Sequence, residues 1–144
     1  MNWTYNNAYE VEGIDARYII VSYHRDNTRM EEKSKWAISE EDEIECFKQA
    51  LLSEWYINNK AFGLRSSGTD MFQIVGHNPQ QEELKLAKFT NDAAGARAWH
   101  GYPADYVRKI QDRPPTAILS KWYEAQVVSK DAMAKIRLGK VCSL

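Results

Sequence analysis

Apolar residues recur at helical spacing in one long stretch of the chain, at strand-like density in three others, and without a clear period between them. The long stretch is SEEDEIECFKQALLSEWY (39–56). Ile44, Phe47, Leu51 and Trp55 fall on one face there, and Ala50 and Leu52 widen the stripe. Ser39 is an N-cap residue by type, and the acids at 40–43 suit the positive end of a helix dipole. The pattern predicts a long amphipathic helix near 40–56 with its stripe in the core. RYIIVSYH (17–24) is β-branched and aromatic and predicts a largely buried strand. MFQIVGH (71–77) and ELKLAKFT (83–90) predict two more strands, joined across NPQQE as an antiparallel hairpin. In the second, Leu84 and Leu86 alternate but the next large apolar residue is Phe89, a slip that predicts a bulge or an early end.

The intervening stretches carry turn chemistry. RDNTRMEEKSKWAIS (25–39) reads as a loop, and INNKAFGLRSSGTD (57–70) breaks the helix before it. NDAAGARAW (91–99) predicts a short helix capped by Asn91 or Asp92, weakened by Gly95. Pro103 and the pair Pro114 and Pro115 bound an irregular segment at 100–114. Pro115 suits the first turn of a closing helix whose apolar face is Ile118, Leu119, Trp122 and Ala125. After a QVV connection, Ser129 caps a second helix with Asp131 in its first turn. Met133 and Ile136 face inward there, and Gly139 ends the helix. The fold class these elements predict is α+β: a small, mainly antiparallel sheet, one long amphipathic helix and a C-terminal helical hairpin, in one globular domain spanning 1–144.

Composition narrows the function classes. At 144 residues and 44% hydrophobic content, a stable core needs neither metal nor disulfide. Cys46 and Cys142 show no CxxC spacing, so they read as free thiols, Cys46 as a small core residue. The opening MNWTYNNAYEVEG lacks the basic and apolar regions of a signal peptide. No apolar run approaches the ~20 residues of a membrane span, so the expected compartment is the cytoplasm and no membrane partner is expected. The net charge of −1 conceals an asymmetry. Residues 1–93 carry ten Lys/Arg against sixteen Asp/Glu, and residues 94–144 carry nine against four, balances of −6 and +5. A basic end on an acidic body suits a polyanionic partner.

The densest chemistry is RAWHGYPADY (97–106). Arg97, Trp99, His100, Tyr102, Asp105, Tyr106, Arg108 and Arg113 are the candidate binding residues, on a rigid loop shaped by Gly101 and Pro103. Asp105 is placed to orient the His100 ring, the three arginines to clamp a phosphate or carboxylate, and the tyrosines to stack on a base or sugar. The favoured function is a non-catalytic binding module that meets a protein or a nucleic acid through loop 97–113. The alternative is a small phosphodiesterase or nuclease with His100 as acid or base. An enzyme needs a second titratable group beside His100 in a pocket, whereas a binding module needs only an exposed patch.

Other chemistries find less support. His24 and His77 each close an apolar strand and would meet on one rim, with His100 joining from its loop, if those strands share a sheet end. But no HxH, HExxH or HxxxH spacing holds two of them on one element, so no metal site is expected. Gly-rich phosphate loops are absent and no cofactor is expected. LRSSGTD (64–70) is not a nucleophile elbow. The helix pair 115–138 has the length of a helix-turn-helix, with Lys130, Lys135, Arg137 and Lys140 on its second helix and tail. Its turn lacks the usual glycine, so a helical hairpin closing the core is the simpler expectation.

Overall fold

The computed structural model describes residues 3–91 and 98–144. The chain is mixed α+β, built on a six-stranded, mostly antiparallel sheet. In chain order the elements are β1 (Ala8–Glu10), β2 (Arg17–Ile19), β3 (Lys35–Trp36), α1 (Glu40–Leu52), β4 (Tyr56–Ile57) and β5 (Lys60–Gly63). There follow β6 (Gly76–His77), β7 (Glu83–Leu84), β8 (Leu86–Thr90), β9 (Ala98–Ala104), α2 (Thr116–Glu124) and α3 (Lys130–Leu138). The main sheet runs β1-β2-β9-β8-β5-β4, and only the β2–β9 pair is parallel. A second small sheet, β3-β6-β7, is antiparallel. Among the described residues no helix is long and apolar enough to cross a membrane.

The central strands are buried on both faces, and their period-two alternation sorts side chains into two cores. On one face Tyr18, Ala61, Ala87, Phe89 and Trp99 pack against Cys46, Phe47 and Ala50 of α1. Phe47 is the hub, with ring centroids 4.9 Å from Tyr18, 5.4 Å from Phe89 and 5.6 Å from Trp99. On the other face Phe62, Leu64, Leu86 and Ala104 pack against Ile118, Leu119 and Trp122 of α2 and Ala132 and Ile136 of α3. The helix ends obey local chemistry. Ser39 Oγ accepts the Asp42 N–H and Ser129 Oγ accepts the Ala132 N–H. Gly139 closes α3 at φ +72°, and the Arg113 guanidinium lies so close that an added Cβ would meet its Nη2 at 2.0 Å.

Several sequence expectations need correction. The stretch WHGYPA is not a loop but the longest strand of the sheet, β9. Gly101 makes no turn there. The Phe89 ring crosses it, and a Cβ would sit 2.3 Å from Phe89 Cδ1. Pro103 is tolerated because pairing with β2 stops at Trp99, so the second half of β9 has a ladder partner only in β8. The short helix expected at 91–99 lies mostly outside the described residues, but its end, Ala98 and Trp99, belongs to β9. The strand expected at 17–24 stops at Ile19, and Ser22–His24 form a 3-10 turn. The expected hairpin shrinks to β6 and β7, two residues each, and β8 crosses to the main sheet after Lys85. The slip between Leu86 and Phe89 reflects no bulge: Leu86, Ala87, Lys88 and Phe89 are all buried, on alternating faces. Helix α1 ends at Leu52, short of the expected residue 56, and its face is rotated by part of a turn from the expected stripe: Phe47 is buried as expected, but Ile44, Leu51 and Trp55 pack against the core only partly buried. Glu43, Cys46, Phe47 and Ala50 are its buried residues, while Leu52 is 62% exposed. Ala125, expected on the inner face of α2, is exposed. Strands β1, β3, β4 and β5 fall in stretches with no strand signal.

These placements give a stability contrast. Phe47→Ala removes the hub of the first core and is expected to lose about 3–5 kcal/mol. Leu52→Ala is expected to change stability by less than about 0.5 kcal/mol. Urea denaturation of the two variants checks the rotated face.

Candidate functional site

The side chains of β9 leave the sheet alternately. Trp99 points into the α1 core and is 9% exposed, packed on Phe47, so it is not a contact residue. His100 and Tyr102 point to the opposite face, beyond the area covered by α2 and α3. Arg97 lies outside the described residues. Beyond β9, Asp105 is buried and holds a turn. Its Oδ1 accepts the Arg108 N–H at 3.2 Å and its Oδ2 accepts from Asn78 Nδ2 at 3.0 Å. Asp105 therefore does not pair with His100, the partnership the sequence suggested.

The arginines and tyrosines of this segment are also committed to the protein. Arg108 Nε donates to Glu82 Oε1 at 2.8 Å and lies 3.9 Å from Asp105 Oδ2. Arg113 Nε donates to the Tyr106 carbonyl at 2.8 Å and packs on Gly139. Tyr106 Oη sits 3.2 Å from Cys142 Sγ. Tyr102 Oη donates to Asp112 Oδ1 at 2.5 Å, and burial first, then this carboxylate, hold its phenol well above the usual range. Much of the expected loop chemistry is thus internal scaffolding. The exposed part is Val107 to Gln111, where Ile110 is 75% exposed.

Among the described residues, His24 is a second imidazole on the cleft that His100 lines. The Ser22–His24 turn follows β2, the parallel neighbour of β9, and carries His24 across to Tyr102. The two rings stack at 5.3 Å between centroids and 15° between planes. Tyr23 extends the row, 4.8 Å from the His24 ring. The His24 Nδ1 lies 2.8 Å from the Ser34 carbonyl. A carbonyl only accepts, so Nδ1 carries the hydrogen and the lone pair is on Nε2. Burial lowers the His24 pKa to about 4, and the charges of Lys33, Lys35 and His100 push the same way. Ser34 Oγ in turn donates to the Pro103 carbonyl at 2.7 Å, pinning the 25–35 loop to β9.

These groups border a cleft of about 260 Å³. Tyr23, His24 and Tyr102 line it together with His100, and Lys33 and Lys109 lie at its edge. Lys33 Nζ is 5.4 Å from the centre of the Tyr23 ring, within cation–π range. Glu32, Asp105 and Asp112 also line the cleft. Asp105 and Asp112 spend their oxygens on protein donors, which leaves Glu32 as the acid opposing the two lysines. A larger groove of about 550 Å³ lies between the β6–β7 hairpin, the 105–108 turn and residues 141–144. Its polar side chains Asp105, Tyr106, Arg108 and Cys142 are bonded to each other or to neighbours. His77 faces a different depression, with Arg25, Lys35 and Trp36. Among the described residues no three His, Cys, Asp or Glu side chains converge as a metal-binding group.

The sequence offered His24, His77 and His100 as histidines able to converge but could not decide which do, because the answer depends on the β2–β9 pairing, which joins segments about eighty residues apart and has no local signature. The fold brings His24 and His100 to one cleft and leaves His77 in another. Comparison of the chain with protein-family models, with curated proteins and with solved structures returns no match.

The buried His24 makes a pH prediction. Its folded pKa lies below the unfolded value of about 6.5, so the unfolded chain binds the extra proton. The stabilisation is complete above pH 6.5 and is lost as pH falls toward 4. His24→Asn keeps a side-chain N–H for Ser34 and removes the titration. The stability difference between wild type and this variant is expected to shrink or reverse from pH 7.5 to pH 5, as read by chemical denaturation at each pH.

Proposed function

We propose that the chain is a small binding module for single-stranded nucleic acid, with one nucleotide seated in the cleft beside His100. The observation that carries the reading is the row of rings Tyr23, His24 and Tyr102 beside Lys33 and Lys109. A base stacks on any aromatic face, and a lysine beside it meets the phosphate as a point charge, which is how single strands are held without a base code. The cleft suits one nucleotide of a longer strand better than a whole small-molecule ligand, since such pockets usually run from about 300 to 1,000 Å³. The exposed Lys109 and Gln111 extend the contact along the strand. A protein partner has one specific observation behind it, the exposed Ile110 and Val107 of the same segment. The cleft and its lysines favour the nucleic acid.

The test is fluorescence anisotropy with labelled single-stranded oligonucleotides of about ten nucleotides, within the usual footprint of such modules. Binding is expected to weaken steeply with salt. Lys33→Ala and Lys109→Ala are each expected to weaken it about tenfold, the effect of losing one charge-assisted contact. Neither side chain is buried, so thermal melts of both variants are expected to match wild type. Absence of binding, with a protein captured through Ile110 instead, returns the function to protein recognition.

A further inference from the structure

We propose that His24 and His100 form an acid–base pair that cleaves single-stranded RNA held in this cleft, with the 2′-hydroxyl of the bound nucleotide as nucleophile. The inference rests on the nucleic-acid reading above and adds a reaction to it. Both imidazoles line one cleft, His24 stacked on the Tyr102 ring from the 22–24 turn and His100 two residues before Tyr102 on β9, and they are close enough for the His100 charge to act on His24. Such an arrangement offers two proton-transfer groups where the sequence showed one.

The tautomer of His24 decides the roles. Its Nδ1–H is held by the Ser34 carbonyl, so Nε2 carries a lone pair, and among the described residues no hydrogen bond is made to it. Burial keeps the ring unprotonated throughout neutral pH, the state a base must be in, although it also makes the base a weak one and the reaction slow. His24 Nε2 takes the proton of the 2′-hydroxyl. The 2′-oxygen attacks the adjoining phosphorus and forms the new P–O2′ bond. The P–O5′ bond breaks, and His100, entering as the imidazolium, gives its proton to the departing 5′-oxygen. The products are a 2′,3′-cyclic phosphate and a 5′-hydroxyl, and exchange with water returns both imidazoles to their starting states. No further reactant is needed. Lys33 and Lys109 are the cations beside the cleft that offset the charge gathering on the phosphoryl oxygens. Tyr102 is a positioning residue. Its hydroxyl is fixed by Asp112 and its ring is stacked on His24, with Lys88 Nζ 5.9 Å from its centre, so it sets the plane of the His24 imidazole.

The experiment uses the whole chain and three labelled oligonucleotides of one sequence: RNA, 2′-O-methyl RNA and DNA. Binding is read by anisotropy and cleavage by gel and mass spectrometry, with EDTA present to silence contaminating metal-dependent nucleases. The expected result is binding of all three, with cleavage of the RNA alone and a cyclic phosphate at the new 3′ end. His24→Asn and His100→Ala are each expected to slow cleavage at least a hundredfold, the usual size of a lost acid or base. Because both rings also line the binding cleft, cleavage is compared at protein concentrations that saturate each variant with RNA, so that the loss read is in the chemical step, and a thermal melt establishes that each variant is folded. RNA that binds and stays intact overturns this inference and leaves the nucleic-acid reading standing. No binding of any strand overturns both. Cleavage that survives either substitution, or that also occurs in 2′-O-methyl RNA, overturns the assignment of these two histidines.

Discussion

A lysine is buried at the middle of the sheet, and the geometry of the whole cleft face follows from what it demands. Lys88 lies on β8, 4% exposed, between strands β5 and β9. An ammonium in that position needs partners, and the chain supplies them from one segment: the Gln111 carbonyl at 2.5 Å and Asp112 Oδ1 at 3.9 Å. Burial lowers the Lys88 pKa, and Asp112 works against that shift. Asp112 is as buried as its partner and also accepts from Tyr102 Oη and from the Asp105 N–H at 2.9 Å. One carboxylate therefore clamps the segment 105–113 onto β8 and β9. Removing either charge would strand the other in a low-dielectric setting, at about 3–5 kcal/mol.

A second buried pair does the corresponding work on the other face. Glu43 of α1 is fully buried and receives Tyr18 Oη at 2.5 Å and Arg25 Nη2 at 2.6 Å. Burial pushes the Glu43 carboxyl up to about 7 against the opposing pull of Arg25. Arg25 also donates to the Ile38 carbonyl and sits 5.9 Å above the Trp36 ring. Since Arg25 directly follows His24, this pair locates the turn that delivers His24 to the cleft. The two sides of the cleft are thus each set by an ion pair inside the protein, and the space between them is left for a ligand.

The features legible in the sequence are the ones enforced locally. Ser39 and Ser129 cap helices because a hydroxyl bonds an N–H three residues on, and that depends on nothing distant. Gly139 stops α3 for a similar reason. Gly101 and Pro103 misled because both have two uses, as turn formers and as strand residues where a ring or a neighbour's absence allows. Only the Phe89 ring and the end of the β2 ladder decide between them. Lys88 looks like the solvent side of an alternating strand until Asp112 is known to lie across it. His100 was visible as chemistry, but its companion was not. Asp105, five residues on, is the nearer partner along the sequence, and only the fold shows that it belongs to Asn78 and Arg108.

The charge asymmetry also changes meaning once the fold is known. The basic balance of the C-terminal third suggests an electropositive face, yet three of its nine cations are bound to groups of the protein itself. Arg108 answers Glu82, Arg113 holds the Tyr106 carbonyl, and Lys135 pairs with Asp131 at 3.1 Å. A cation that is already paired gains little from a polyanion, because each new contact must replace an existing one. Recognition then depends on a small number of cations placed beside aromatic rings rather than on net charge. The rings of the cleft are held before any ligand arrives, Tyr102 at both its hydroxyl and its face, and His24 through Ser34. A preformed platform of this kind leaves most of the ordering on binding to the ligand, which favours a flexible single strand that can settle one nucleotide at a time over a rigid duplex that would have to meet the cleft as it stands.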